Sequence, residues 1–195
     1  ARGANWVPVH HLPGEIDPER YRPILQEAAT ANYNMLRAWG GGIYENDRFY
    51  EECDRLGILV WQDFLFACAE YPEDREWFTA LVETEAERAV RRIAHHPSLA
   101  LLCGNNENHW MYGYYGRGSG GIAAPFFGTR LYEEILPRVC REASPDVPYW
   151  PSSPYGGEFP NCDEYGDKHA WEVSIHHPDI WTRADVTRAR GERAR

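Results

Sequence analysis

Short apolar runs alternate along the chain with segments whose apolar positions recur every three or four residues. Ala4–Val7 reads as a strand. Asp17 followed by Pro18 has the form of a helix N-cap and first turn, after which Tyr21, Ile24, Leu25, Ala28 and Ala29 line one face. Asn34–Trp39 is a second strand, ended by Gly40-Gly41-Gly42. Asn46 caps a helix that faces inward through Phe49, Tyr50, Cys53 and Leu56 and stops at Gly57. Ile58–Trp61 is continuously apolar, as expected of a parallel strand covered on both faces. Glu73–His95 is a long helix with Phe78, Leu81, Val82, Ala86, Ala89, Val90 and Ile93 on its inner side. Leu99–Cys103 is a fourth strand, Thr129–Glu142 a fourth helix bent at Pro137, and Val147–Trp150 a fifth strand. A sixth strand is expected near His169–Val173.

Strand followed by helix, repeated with short connections, predicts an α/β fold with a parallel sheet and right-handed crossovers. A doubly wound open sheet and a (β/α)8 TIM-type barrel both satisfy that pattern. An open sheet gathers its chemistry at one switch point, whereas a barrel draws residues from the ends of many strands. Here each strand exits into an unusual polar or glycine-rich segment: Trp39–Gly42, Gln62-Asp63-Phe64, Gly104–Glu107 and Pro151–Pro154. The barrel is therefore the expectation. A closed barrel takes about 250 residues, so the 195 residues are read as an incomplete one with five or six strands over 1–182. Residues 183–195 carry five arginines and no apolar run, and read as an unpacked tail.

Composition narrows the partners. Twenty basic residues against thirty acidic ones give a net charge of −10, which opposes nucleic acid or an anionic membrane surface. No apolar run approaches the roughly 18 residues of a membrane span. The five cysteines, Cys53, Cys68, Cys103, Cys140 and Cys162, are scattered and form no CxxC pair, so buried thiols and a cytoplasmic location are expected. The adjacent pairs His10-His11, His95-His96 and His176-His177 point apart on a regular element and make poor metal ligands; neither a metal nor a cofactor is expected. Gly116, Gly118 and Gly121 match G-x-G-x-x-G but follow no strand, so they read as a loop over a pocket mouth.

Glu107 is the leading candidate for chemistry. It follows an apolar strand directly and stands among Asn105, Asn106 and Asn108. A carboxyl at the mouth of a barrel, dried by aromatics such as Trp110 and Tyr112, would have its pKa raised, as a general acid needs near neutral pH. Trp39, Trp61, Trp110 and Trp171 fall at or past strand ends, where an indole can stack on the apolar face of a pyranose. Arg37 and Asp63 are placed to pair across neighbouring strand ends.

The ordered set Gly-Ala-Asn-Trp6, Arg37-Ala-Trp-Gly-Gly-Gly-Ile-Tyr44, Leu59-Val-Trp-Gln-Asp-Phe64, His96-Pro-Ser-Leu99, Gly104-Asn-Asn-Glu107, Pro151-Ser-Ser-Pro154 and Gly166-Asp-Lys-His-Ala-Trp171 resembles the catalytic barrel of the β-mannosidases of glycoside hydrolase family 2. The likeness runs from about residue 2 to about residue 181. It implies a retaining exo-glycosidase acting on non-reducing terminal β-D-mannose of a β-mannoside or manno-oligosaccharide. Glu107 would be the acid/base and Asn106 the ligand of the sugar 2-hydroxyl, with Arg37, Trp39, Trp110, His169 and Trp171 around the substrate. It also implies flanking β-sandwich domains in the parent protein. Retention needs a second carboxyl about 5–5.5 Å away. The nearest match to the family's nucleophile segment is Arg188–Ala194, where Glu192 has the right spacing in the wrong, arginine-rich surroundings. The alternatives left open are an inactive remnant that only binds sugar, and a relative specific for β-galactosyl, β-glucuronyl or β-glucosaminyl residues.

Overall fold

The computed structural model describes residues 1–115, 126–156, 160–162 and 165–170. Five strands, β1 (Gly3–Trp6), β2 (Met35–Ala38), β3 (Leu59–Asp63), β4 (Leu99–Cys103) and β5 (Tyr149–Trp150), form one parallel sheet in sequential order. Between them run helices α1 (Tyr21–Thr30), α2 (Asp47–Leu56), α3 (Glu76–Ile93) and α4 (Leu136–Ala143). The strand order never reverses, so the doubly wound alternative, which requires a switch point, is excluded for these strands. Right-handed crossovers in a sequential sheet carry every helix to the same face, and α1 packs on α2 as α3 packs on α4. Among the described residues the sheet does not close, and β1 and β5 are its edges. The sixth strand expected near 169–173 is not found at His169 or Ala170, and the rest of that stretch lies outside the described residues.

The helix signals act as read. Asn46 Oδ1 accepts from the Arg48 amide at 3.0 Å, and Gly57 takes the left-handed conformation at φ 68° to end α2. Asp17 caps a 3-10 turn over Pro18–Arg20 that leads into α1. Pro137 acts differently from a simple bend. It has no amide to give to the preceding turn, and a π-helical turn over Leu131–Ile135 takes up the mismatch before α4 begins.

The sheet–helix core holds Trp6, Tyr21, Leu25, Phe49, Tyr50, Val60, Val90, Ile93, Leu102 and Leu136, all buried. Full burial of such a side chain stabilises by about 1.5–3 kcal/mol. Three expected inward positions point elsewhere: Ile24 and Leu81 are exposed, and Leu59 in β3 is 41% exposed. Among the described residues no helix covers the other face of the sheet, and β3 is exposed at Leu59 and half-buried at Trp61 instead of being buried on both sides. The Glu45 carboxyl is buried here, as are those of Glu52 and Asp63. Glu45 accepts from Trp6 Nε1 at 2.9 Å and from the Tyr21 hydroxyl at 2.5 Å, tying the end of β1 to α1.

Candidate active site

Parallel strands present all their C-terminal ends at one edge, and the candidate residues gather there. The ladder continues past the strands. The Asn106 amide donates to the Phe66 carbonyl at 2.9 Å, the Cys68 amide to the Asn106 carbonyl at 3.0 Å, and the Glu107 amide to the Ser153 carbonyl at 2.8 Å. The β4 exit is thus held between the β3 and β5 exits. A register shift between Val60 and Trp61 gives β3 the extra twist that a bulge supplies beside a site.

Beneath Glu107, Asn105 is wholly buried with its amide group satisfied. Its Nδ2 donates to the Pro151 carbonyl at 2.9 Å and to His109 Nδ1 at 3.3 Å. Its Oδ1 accepts from the Asn108 amide at 3.0 Å and the Ser152 hydroxyl at 2.7 Å. Asn105 is a keystone of the loop and makes no approach to a ligand. On that base Glu107 takes φ 68°, a left-handed conformation few non-glycine residues adopt and one that concentrates at functional positions.

The expected Arg37–Asp63 pair is present and buried. Arg37 donates through Nε to Asp63 Oδ1 at 3.2 Å and through Nη2 to Oδ2 at 2.7 Å. The Gly40 amide and Trp61 Nε1 also donate to this carboxylate, at 3.0 and 2.9 Å. Burial pushes the Asp63 carboxyl above its ordinary pKa, while the charge and hydrogen bonds of Arg37, the Gly40 amide and Trp61 pull it the other way. Burial likewise opposes the charge on Arg37, and Asp63 more than restores it, leaving that pKa above its ordinary value. Arg37 reaches further, giving Nη2 to Asn106 Oδ1 at 3.0 Å and setting Nη1 3.2 Å from His169 Nε2. Because arginine only donates, Asn106 must turn its oxygen inward and its Nδ2 donors outward.

Glu107 and His169 are each about one-seventh exposed, with side-chain values of 14% and 15%. His169 Nδ1 lies 2.7 Å from Glu107 Oε1, while Cys68 Sγ lies 3.5 Å from Oε2 and accepts from Asn106 Nδ2 at 3.3 Å. A cleft of about 350 Å³ opens over these groups, lined by Asn5, Val7, Trp39, Cys68, Asn106 and Glu107, with His169 alongside. Trp39 and the carboxyl therefore share one cavity. Trp110 meets the His169 ring edge-on at a centroid distance of 6.5 Å. Trp61 lies under the Arg37 guanidinium at 5.3 Å and serves the buried pair. Trp171 and Glu192 lie outside the described residues, as do the glycines at 116, 118 and 121 and the third histidine pair.

Several participants escape a reading by sequence. Cys68 is exposed, contrary to the expectation of five buried thiols; Cys53, Cys103 and Cys140 are buried. Burial, then the charge of Glu107, pushes the Cys68 thiol above its ordinary pKa. Its only sequence signal is its place in the exit of β3. Asp167 is an anchor: it accepts from Trp150 Nε1, the Tyr155 amide and the Ser153 hydroxyl at 2.8, 3.0 and 2.6 Å. His10 and His11, being in a loop, stack at 4.6 Å and do not point apart.

No family model matches the chain. It is 41% identical over 180 residues to β-mannosidase B of Aspergillus niger, covering 88% of this chain and 21% of the relative. Against β-mannosidase B of Thermothelomyces thermophilus it is 38% identical over 195 residues, covering 94% of this chain and 22% of the relative. The crystal structure of β-D-mannosidase from Dictyoglomus thermophilum superposes with a TM-score of 0.81 at 54% identity, over 89% of this chain and 21% of that one. Exo-chitosanase CsxA of Amycolatopsis orientalis shares the fold alone, with a TM-score of 0.60 at 19% identity over 79% of this chain and 17% of that one. The chain spans about a fifth of the length of the curated relatives it matches, 21% for the first.

Proposed function

The chain is homologous to β-mannosidases over most of its length, and on that premise we propose that it is the acid/base-bearing segment of a retaining exo-glycosidase of glycoside hydrolase family 2. Its substrate is the non-reducing terminal β-D-mannosyl residue of a β-mannoside or manno-oligosaccharide. The observation that carries this reading is the Glu107 carboxyl, held in a left-handed backbone at the rim of a small cleft shared with Trp39 and Asn106. In this reading Glu107 protonates the leaving oxygen and later takes a proton from water. Asn106, its oxygen engaged by Arg37, offers its Nδ2 donors to the sugar 2-hydroxyl. Trp39, Trp110 and Trp171 furnish stacking surfaces, and the sheet is part of a (β/α)8 barrel completed by strands beyond β5.

A retaining mechanism needs a nucleophilic carboxylate as well. Asp63 and Asp167 are committed to donors within the protein, four and three respectively, and neither is assigned that part. Glu192 is not assigned it either, for the reason its arginine-rich context gives. The nucleophile is proposed to come from the length of the relatives that this chain does not span, as are their flanking domains.

Hydrolysis of aryl β-mannosides by the intact protein tests the reading. Glu107→Gln is expected to lower turnover of a poorly activated aryl mannoside by about 10²–10⁴-fold. For substrates whose leaving group departs unaided it should spare the first step, while still slowing the later attack of water. Undiminished turnover of the poorly activated substrate would refute the acid/base role. Turnover of a β-galactoside or β-glucuronide in preference to the mannoside would refute the sugar assignment.

A further inference from the structure

The resemblance would make His169 a ligand of the sugar, yet both of its ring nitrogens are engaged by protein. Nε2 faces Arg37 Nη1 at 3.2 Å and the Ser153 hydroxyl at 2.9 Å; Nδ1 faces Glu107 Oε1 at 2.7 Å. Arginine cannot accept a hydrogen bond, so a neutral ring must turn a lone pair to Nη1 and keep its proton on Nδ1. A protonated ring would give Nε2–H to Ser153, whose own proton goes to Asp167 Oδ2 at 2.6 Å, and would still carry a proton on Nδ1. In both states Nδ1–H is directed at Glu107.

The backbone of this residue is clamped as well. Asn161 Oδ1 accepts from the His169 amide at 2.7 Å and Asn161 Nδ2 donates to its carbonyl at 3.2 Å. A side chain whose amide and carbonyl are both held, and whose ring is held at both nitrogens, is built for fixed placement.

We propose that His169 is a positioning residue for the carboxyl of Glu107, holding Oε1 through Nδ1–H so that Oε2 is the oxygen that gives and takes the catalytic proton. The inference rests on the acid/base reading of Glu107 and deepens it. The two carboxyl oxygens are inequivalent: Oε1 faces the His169 ring nitrogen at 2.7 Å, while Oε2 faces the weak thiol donor of Cys68 at 3.5 Å. The charge-bearing groups that face this pair are Arg37 and Asp63 from the ends of β2 and β3, Cys68 from the β3 exit, and Asp167 through Ser153.

The test compares His169→Asn with His169→Gln in the intact protein, with His169→Ala beside them. The asparagine amide reaches the position of Nδ1; the glutamine amide reaches that of Nε2. The readouts are kcat and KM for aryl β-mannosides of graded leaving-group acidity, and the pH profile of kcat/KM. His169→Ala and His169→Gln are expected to lose about 10–100-fold in kcat on poorly activated substrates, a part of the full acid/base contribution. KM should hold, and the alkaline limb should move up by about one pH unit, because the carboxylate has lost a donor. His169→Asn should restore most of the rate and the original limb. Equal rates for the Asn and Gln variants, or a raised KM with kcat and the alkaline limb unmoved, overturn the inference even if the Ala variant fails to fold. Undiminished turnover of poorly activated mannosides by Glu107→Gln would overturn both readings. Loss of that turnover, with Asn and Gln equivalent at 169, overturns this inference alone.

Discussion

Replacing Asp63 by leucine should destabilise the protein severely. The carboxylate accepts from Arg37 Nε and Nη2, the Gly40 amide and Trp61 Nε1, and is fully buried. Its loss leaves the Arg37 guanidinium, itself 8% exposed, without its counter-charge. Stranding a buried charge in this way costs about 3–5 kcal/mol. With a urea slope of about 2 kcal/mol per molar, the unfolding midpoint falls by about 1.5–2.5 M. Arg37→Met alone should cost a similar amount. The combined Arg37→Met, Asp63→Leu protein removes both charges together, so its loss should fall short of the sum by at least about 2 kcal/mol. Urea titration of the intact protein, followed by tryptophan fluorescence, measures all three. Additivity to within about 0.5 kcal/mol, or a loss under about 1 kcal/mol for Asp63→Leu, would refute the claim that this pair is electrostatically closed.

Gly40→Ala would set a Cβ 2.7 Å from the Phe64 carbonyl oxygen and 2.8 Å from that of Phe66. Both are backbone, so the turn must shift; a loss of about 1–3 kcal/mol in urea titration is expected, and an unchanged midpoint would count against it. Burial raises the pKa of Glu45, with Tyr21 and Trp6 pulling the other way. The folded protein thus holds that proton more tightly than the unfolded chain. The associated stability is complete below the ordinary glutamate pKa and is lost as pH rises through the folded one. Glu45→Gln should therefore flatten the stability profile above the ordinary glutamate pKa of about 4.3; an unaltered slope would show that Glu45 is not its source. Cys68 is held protonated by burial and by Glu107, so Glu107→Gln should speed its alkylation by iodoacetamide at neutral pH, read by mass spectrometry. An equal or slower rate would contradict the placement of that thiol.

Much of this arrangement is legible from short stretches of chain because its causes are local. The Asn46 cap, the Gly57 stop and the bounds of β4 depend on neighbouring residues and came out as expected. The motifs at strand ends marked the right edge of the sheet because parallel strands must present their C-terminal ends together. Leu59 and Leu81 failed for the opposite reason: an apolar residue looks inward until the neighbouring layer is known, and no pattern within β3 or α3 states which face a helix covers. At the site, the Arg37–Asp63 pair and the place of Asn106 and Glu107 at the exit of β4 were legible from residue type and position. The part played by Cys68 was not, because a thiol carries no pattern, and its meeting with Glu107 spans 39 residues of sequence. The same holds for the clamp of Asn161 on the backbone of residue 169.

The left-handed backbone at residue 107 has an evolutionary corollary. An L-amino acid with a side chain sits there at a cost of about 1–2 kcal/mol that glycine escapes. A population propagated only for heat resistance, with no demand for turnover, should drift to glycine at this position and become hardier as it goes inert. Glutamate persisting there under such a regime would mean that the fold, and not the chemistry, requires it.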